Sequence, residues 1–391
     1  MGRFAAAAAA TAAAAAAAGL LAAVPPAFAA PALTIDRVLV VGRVATGPWT
    51  DAPTEARTDQ TAELAAIAIG HRGKQRVILV PTGVDALRLA GRSIPARELA
   101  ALDATDIRWS TVEPHGFRNA AAQNGATSDF YSNVSTDPKT FGRWLGYDHI
   151  DYFEHVFAEH AAPIITAEIK PSEADAVQVP GLGTLRFKVD ITLADGTQLA
   201  SPGADATDTF GILPAVHRVS IRASDDFLGW LGAYLLVPEV FGSAGPGANH
   251  QTERFTGADC ADVMVGAMRR AGHKLAYTNV AGLPAYTTTV ARPVELDDHG
   301  MPASEIAGIK PGDLIRIDYG GVLRHHTPRD WDHVAALWQD RSDPKGPLKG
   351  AADGKLDGFD LVIHVGHPRL KIEPLAEQAP ATIDVLRWRS Q

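Results

Sequence analysis

The chain has 391 residues, 46% of them hydrophobic and 21% charged, enough for two or three cores and ordinary for a globular protein. Its formal net charge of −9 disfavours nucleic acid as a partner, because a general polyanion binder is basic. With one cysteine it can form no intramolecular disulfide.

Residues 1–30 read as a secretory signal peptide: Arg3 supplies a positive start, Ala5 to Val24 an apolar run, and Ala27-Phe28-Ala29 a small-x-small cleavage site after two prolines. An exported protein, periplasmic or extracellular, is the expectation. No later stretch reaches about 18 continuous apolar residues, so no integral membrane segment is expected after signal removal.

Residues 31–224 are expected to be β-rich, as a sandwich or barrel of unknown role. Arg37 to Val44, Gln75 to Val80 and Ile107 to Val112 read as strands, and Thr61 to Ile69 as a strand or short helix. Residues 114–162 read as long loops with one helix near Ile150 to His160. Ile164 to Ile169, Gly183 to Leu193 and Val216 to Ile221 resume the strand pattern, with a turn at Ala194-Asp195-Gly196. From 225 the texture changes. Asp225 to Val240 is apolar and of helical length, a glycine-rich turn follows, and residues 225–391 read as a second, α+β domain in which helices precede a small antiparallel sheet.

Within that domain, Asp259 is a good helix N-cap and Gly272 a good stop, with Arg269 and Arg270 in the last turn. Cys260, Val263, Met264, Ala267, Met268 and Ala271 share one helical stripe. Cys260 thus stands in the first turn. There free backbone N–H groups and the helix dipole favour a thiolate and can hold an oxyanion. Filling the core is the plain alternative for such a cysteine.

A thiol nucleophile needs a base, and histidine titrates in the right range. Alternation in Trp331 to Trp338 puts His333, Ala335 and Leu337 on one face, and in Phe359 to Val365 it groups His364 with Val362. If the two strands pair antiparallel across the polar stretch Gln339 to Gly358, the two histidines lie side by side or diagonally. One then acts as base and the other orients it.

Five short motifs in order resemble the NlpC/P60 family, the bacterial papain-like hydrolases that cut cell-wall peptides. They are Val237 to Ser243, Asp259-Cys260-Ala261-Asp262, Lys310-Pro311-Gly312-Asp313-Leu314, His333-Val334-Ala335-Ala336 and Ile363-His364-Val365. The resemblance implies a papain-like α+β fold for residues 225–391. It makes Cys260 the nucleophile, His333 the general base and acid, and His364 the orienting third residue. It implies a peptide or peptidoglycan stem as substrate, and no cofactor or metal. The sequence departs from the family pattern at Ala261-Asp262, where Ser-Gly is usual, and at Glu239, where a tyrosine is frequent. Its histidine-to-histidine interval is longer, and Ala281 to Ser304 looks inserted.

Three other readings compete. A transglutaminase-like enzyme or acyltransferase would use the same thiol, in the first case with Asp340 or Asp360 as third residue. A metal site would draw on His325, His326, Asp330, Asp332 and His333, though Pro328 marks that stretch as a loop. A non-catalytic envelope binding protein would leave Cys260 inert. Oligomeric state is not legible.

Overall fold

The computed structural model describes residues 32–115, 131–137, 139–176, 178–245, 250–320 and 331–389. The signal-peptide reading, and His325, His326 and Asp330 of the metal reading, lie outside these residues. Among the described residues no helix is long and apolar enough to cross a membrane, and no group of three or more metal-binding side chains occurs.

The valine-rich β1 (Leu33–Val44) pairs antiparallel with β2 (Ala62–Arg72), in register from Leu33↔Arg72 to Val44↔Ala62, and β2 pairs with β3 (Gln75–Val80). The stretch from Thr61 to Ile69 is therefore strand. Both faces of this sheet are covered, which explains its nearly unbroken apolar runs. Val38, Val40, Ala66 and Ala68 face a second sheet, while Leu39, Val41, Ala65 and Ile67 pack with Trp49, Val84 and Leu87.

The second sheet is built on β4 (Ala104–Pro114), β5 (Tyr152–Ala158), β6 (Gly183–Leu193) and β7 (His217–Arg222), in the order β5-β4-β6-β7 with Thr54–Arg57 at the edge. Trp109, Leu185, Phe187 and Val189 meet the first sheet from this side. The helix expected near Ile150 to His160 is instead β5. Its β-branched and aromatic residues pair with β4 from Tyr152↔Pro114 onward, and tertiary pairing decides the conformation.

Three short helices follow: α1 (Phe227–Gly232), α2 (Gln251–Arg254) and α3 (Cys260–Arg270). The apolar stretch expected to be one long helix stops after six residues, and Ala233 to Val237 continue as buried turns. The C-terminal strands are β8 (Thr287–Leu296), β9 (Leu314–Asp318), β10 (His333–Gln339), β11 (Leu361–Gly366), β12 (Arg369–Pro374) and β13 (Ala381–Trp388). They form one antiparallel sheet in the order β8-β13-β9-β10-β11-β12.

The fold-class expectation is corrected here. Strand outweighs helix 44% to 11%, so the protein is mostly β with several sheets, not a helix-packed papain-like α+β domain. The physical reason is that both faces of the C-terminal sheet are apolar. Leu314, Val334, Ala336, Ile363 and Leu386 pack on α3, while Ile315, Ile317, Ala335, Leu337, Val362 and Ile383 are covered by loop residues Ile306, Ile309 and Leu356. One helix covers one side and irregular chain covers the other.

Candidate functional site

The helix that carries Cys260 starts where the sequence places it. Asp259 is the N-cap in extended conformation; its Oδ1 accepts the Cys260 N–H at 2.5 Å and its Oδ2 accepts the Gly242 N–H at 2.7 Å. That cap occupies the Cys260 N–H. The next first-turn donors, on Ala261 and Asp262, have no acceptor within the helix. Ala261 through Met268 are all buried, in a core cluster to which α1, Phe255 and the C-terminal sheet all contribute. The apolar stripe expected from spacing widens to nearly the whole helix.

Cys260 and His333 line one cavity of about 1330 Å³, whose wall also includes Glu239, Asp259, Asp262 and Trp331. His333 opens β10, and the register Ala336↔Ile363, Leu337↔Val362 sets β11 against it. Carried one step further, that register puts Ala335 opposite His364 and leaves His333 on the diagonal. Their rings meet at 87°, with His333 Nε2 2.9 Å from His364 Nδ1. His364 Nε2 lies 2.8 Å from Glu373 Oε1. Glu373 also binds Lys371 Nζ at 2.9 Å and accepts from Gln378 Nε2 at 2.6 Å. Tyr319 Oη donates to Gln378 Oε1 at 2.5 Å, which fixes the amide orientation, and the Tyr319 ring stacks over His333.

These contacts constrain the tautomers. Burial opposes charge on Glu373, but hydrogen bonds and charge from His364 and Lys371 outweigh it and push the carboxyl down to about 2. An ionised Glu373 requires His364 to donate from Nε2. Nδ1 of His364 is then the nitrogen left to meet His333 Nε2, and which of the two donates depends on the tautomer. In the tautomer in which His333 donates from Nε2, its free lone pair is on Nδ1.

The charge around Cys260 runs the other way from a preformed thiolate–imidazolium pair. Burial, and then Asp259 and Asp262, push the Cys260 thiol well up. Burial, and then the neighbouring His364 and Lys371, push His333 well down. Burial and the neighbouring Asp259 push both Glu239 and Asp262 up to about 7. Asp262 still accepts from the Ala244 N–H at 2.7 Å and Ser243 Oγ at 3.0 Å. Glu239 Oε2 is buried without a hydrogen bond, 3.4 Å from His367 Nδ1. The resting site is thiol plus neutral imidazole.

The N-terminal half supplies part of the wall. Tyr131–Ser132 pairs with Val240–Phe241, and Asn133 Nδ2 donates to Gln251 Oε1 at 2.6 Å and to the Gly242 carbonyl at 3.0 Å. Residues Lys139 to Arg143 then rim the cavity. Gly242, at φ 74°, has Val134 seated so close that a Cβ would lie 2.9 Å from its Cγ1.

No family model, curated protein or solved structure matches the chain.

Of the sequence-expected residues, Cys260 and His333 line the same cavity and His364 touches His333. Asp340 and Asp360, offered as a transglutaminase third residue, cap the backbone of the loop between β10 and β11. Asp340 accepts from Asp353 and Gly354, and Asp360 from Arg341 and Asp357. Sequence reasoning missed Glu373, Gln378 and Tyr319. A signal for Glu373 existed: the Gly366-His367-Pro368 turn implies a hairpin, in which Arg369, Lys371 and Glu373 alternate on one face with Lys371 opposite His364.

Proposed function

We propose that this chain is an exported cysteine hydrolase that cleaves amide bonds, with Cys260 as nucleophile, His333 as general base and acid, and His364 and Glu373 orienting the base. The observation that carries the reading is the 2.9 Å contact between His333 Nε2 and His364 Nδ1 at a cavity that both Cys260 and His333 line; in the tautomer in which His333 donates from Nε2, Nδ1 is the base. Cell-wall stem peptide is the substrate class suggested by the NlpC/P60-like motifs. A cavity of about 1330 Å³ is larger than the ~300–1,000 Å³ of a typical small-molecule site, which suits an extended peptide.

In this mechanism the resting pair is neutral. As Cys260 Sγ attacks the amide carbonyl, its proton passes to His333 Nδ1 and the C–S bond forms. First-turn N–H groups of α3, Ala261 foremost, meet the oxyanion. The imidazolium, held by His364 and the ionised Glu373, then gives its proton to the leaving amine as the C–N bond breaks. Water, deprotonated by His333, hydrolyses the thioester. An acyltransferase would replace this water with an acceptor amine.

The raised thiol and lowered imidazole favour a second reading, an envelope binding protein whose Cys260 is inert. One experiment separates the two. Purified chain is incubated with peptidoglycan stem peptides and the products are followed by mass spectrometry, alongside Cys260→Ser and His333→Ala. Cleavage lost in both variants supports the hydrolase. Binding without cleavage by the wild-type chain supports the second reading.

A further inference from the structure

Away from the Cys260 cavity, arginines from both halves of the chain converge on one small cleft. Arg186 and Arg218 come from β6 and β7, Arg254 from α2, and Arg270 from the last turn of α3. Three have carboxylate partners. Arg218 and Arg270 share Glu55 Oε1 at 2.6 and 3.0 Å, and Arg254 Nη1 binds both oxygens of Asp208 at 2.9 and 3.0 Å.

Arg186 has no carboxylate partner among the described residues. It is only 8% exposed, and its Nη2 donates to two backbone carbonyls, Arg254 at 2.9 Å and Phe255 at 3.0 Å. A buried charge without a counter-charge is costly. Burial, and repulsion from Arg218 and Arg254, bring its pKa down to about 10, so the group still carries its charge at neutral pH.

Arg186 lines a cleft of about 170 Å³ together with Arg218, Arg254 and Arg270, with Ile212 and Pro214 as apolar wall. This is several times the ~30 Å³ share of one water. Glu253 also lines it, but its Oε1 is taken by Arg269 Nε at 2.7 Å and Tyr277 Oη at 3.1 Å. Counting Arg269 with its partner Glu253, five guanidinium groups face Glu55, Asp208 and Glu253 and leave two positive charges in excess: Arg218 and Arg270 share one carboxylate, and Arg186 touches none.

We propose that this cleft is a binding site for a small oxyanion of the phosphate type, with Arg186 as its principal ligand. The planar fork of a guanidinium matches two oxygens of such an anion. The bound anion would join β6 and β7 to α2 and to the end of the helix that begins at Cys260. The inference does not rest on the proposed hydrolase activity, because no residue is shared between the two cavities.

The test is equilibrium dialysis of the full chain against radiolabelled inorganic phosphate, with ionic strength held constant by chloride. Expected is saturable binding of one phosphate per chain. Arg186→Gln should weaken it at least about tenfold, while Arg143→Gln, on the rim of the other cavity, should leave it unchanged. Arg186→Lys keeps the charge and loses the fork, so it should bind measurably more weakly than wild type even if the glutamine variant misfolds. No saturable binding by the wild-type chain, or equal affinity in Arg186→Lys and Arg186→Gln to wild type, would overturn the proposal. General phosphate stabilisation by exclusion from the surface does not register in this measurement.

Discussion

His333 meets His364 edge to face, 2.9 Å from Nε2 to Nδ1, and the second nitrogen of His364 is spent on Glu373 at 2.8 Å. In the proposed mechanism the base, His333, stands at one end of a chain of three ionisable groups that ends at Glu373.

Replacing Glu373 by Gln should therefore act on the base without touching substrate. The amide carries no charge to stabilise the imidazolium. We expect kcat for peptide cleavage to fall on the order of 10²-fold with KM little changed, and the acidic limb of the pH–rate profile to move. His333→Ala should cost on the order of 10²–10⁴-fold. Steady-state kinetics across pH reads both. A Glu373→Gln enzyme with unaltered kcat and unaltered profile would remove Glu373 from the relay.

The thiol itself is open to direct measurement. Burial and the Asp259 and Asp262 carboxylates push Cys260 up. The rate of alkylation by iodoacetamide should accordingly rise with an apparent pKa above the ~8.5 of a free thiol. Asp262→Asn removes one of those charges and should move the midpoint down. A wild-type midpoint below 8 would show a preformed ion pair and contradict the resting state assigned here.

Glu239 makes stability depend on pH in a definite direction. Its folded-state pKa is raised to about 7, so the folded chain favours the protonated form. The contribution is complete below the ordinary value of ~4.3 and is lost as pH climbs from there to about 7. Glu239→Gln should abolish that slope and stabilise the chain at pH 8 by about 1–3 kcal/mol. Urea unfolding at pH 5 and pH 8 gives the comparison. A variant no more stable than wild type at pH 8 contradicts it.

A buried ion pair joins two neighbouring strands of the C-terminal sheet. Arg316 on β9 and Asp384 on β13 are register partners, joined at 2.9 and 2.5 Å, with Trp331 over the guanidinium at 4.3 Å. Asp384→Leu alone leaves a buried cation and should cost about 3–5 kcal/mol. The double change Arg316→Met, Asp384→Leu should cost less than either single change. Denaturant melts of the three variants decide it, and additive losses would contradict it.

The candidate site residues were legible as a group because each sits at a local signal: a capped helix start for Cys260 and period-two alternation for His333 and His364. The fold class was not. Asp225 to Val240 is apolar enough for a long helix, yet the chain turns after Gly232 to bury Tyr234 and Leu235, a choice made by tertiary packing. Residues 150–160 became an edge strand for a similar reason, since only the partner β4 decides between strand and helix there. Glu373 and Tyr319 reach the histidines through pairings that no short motif records.

The join between the two halves of the chain has a practical consequence. Thr184 on β6 donates from its N–H to Leu235 and from its Oγ1 to Ala233, Leu182 sits in the core beneath α3, and Gln178 exchanges hydrogen bonds with Ile372. A chain cut at the composition change near 225 would keep Cys260, His333 and His364 and still lose a wall of the cavity and the hydrogen-bond partners along that seam. Such a fragment is the wrong object for an activity assay, and its silence would say nothing about the chemistry of Cys260.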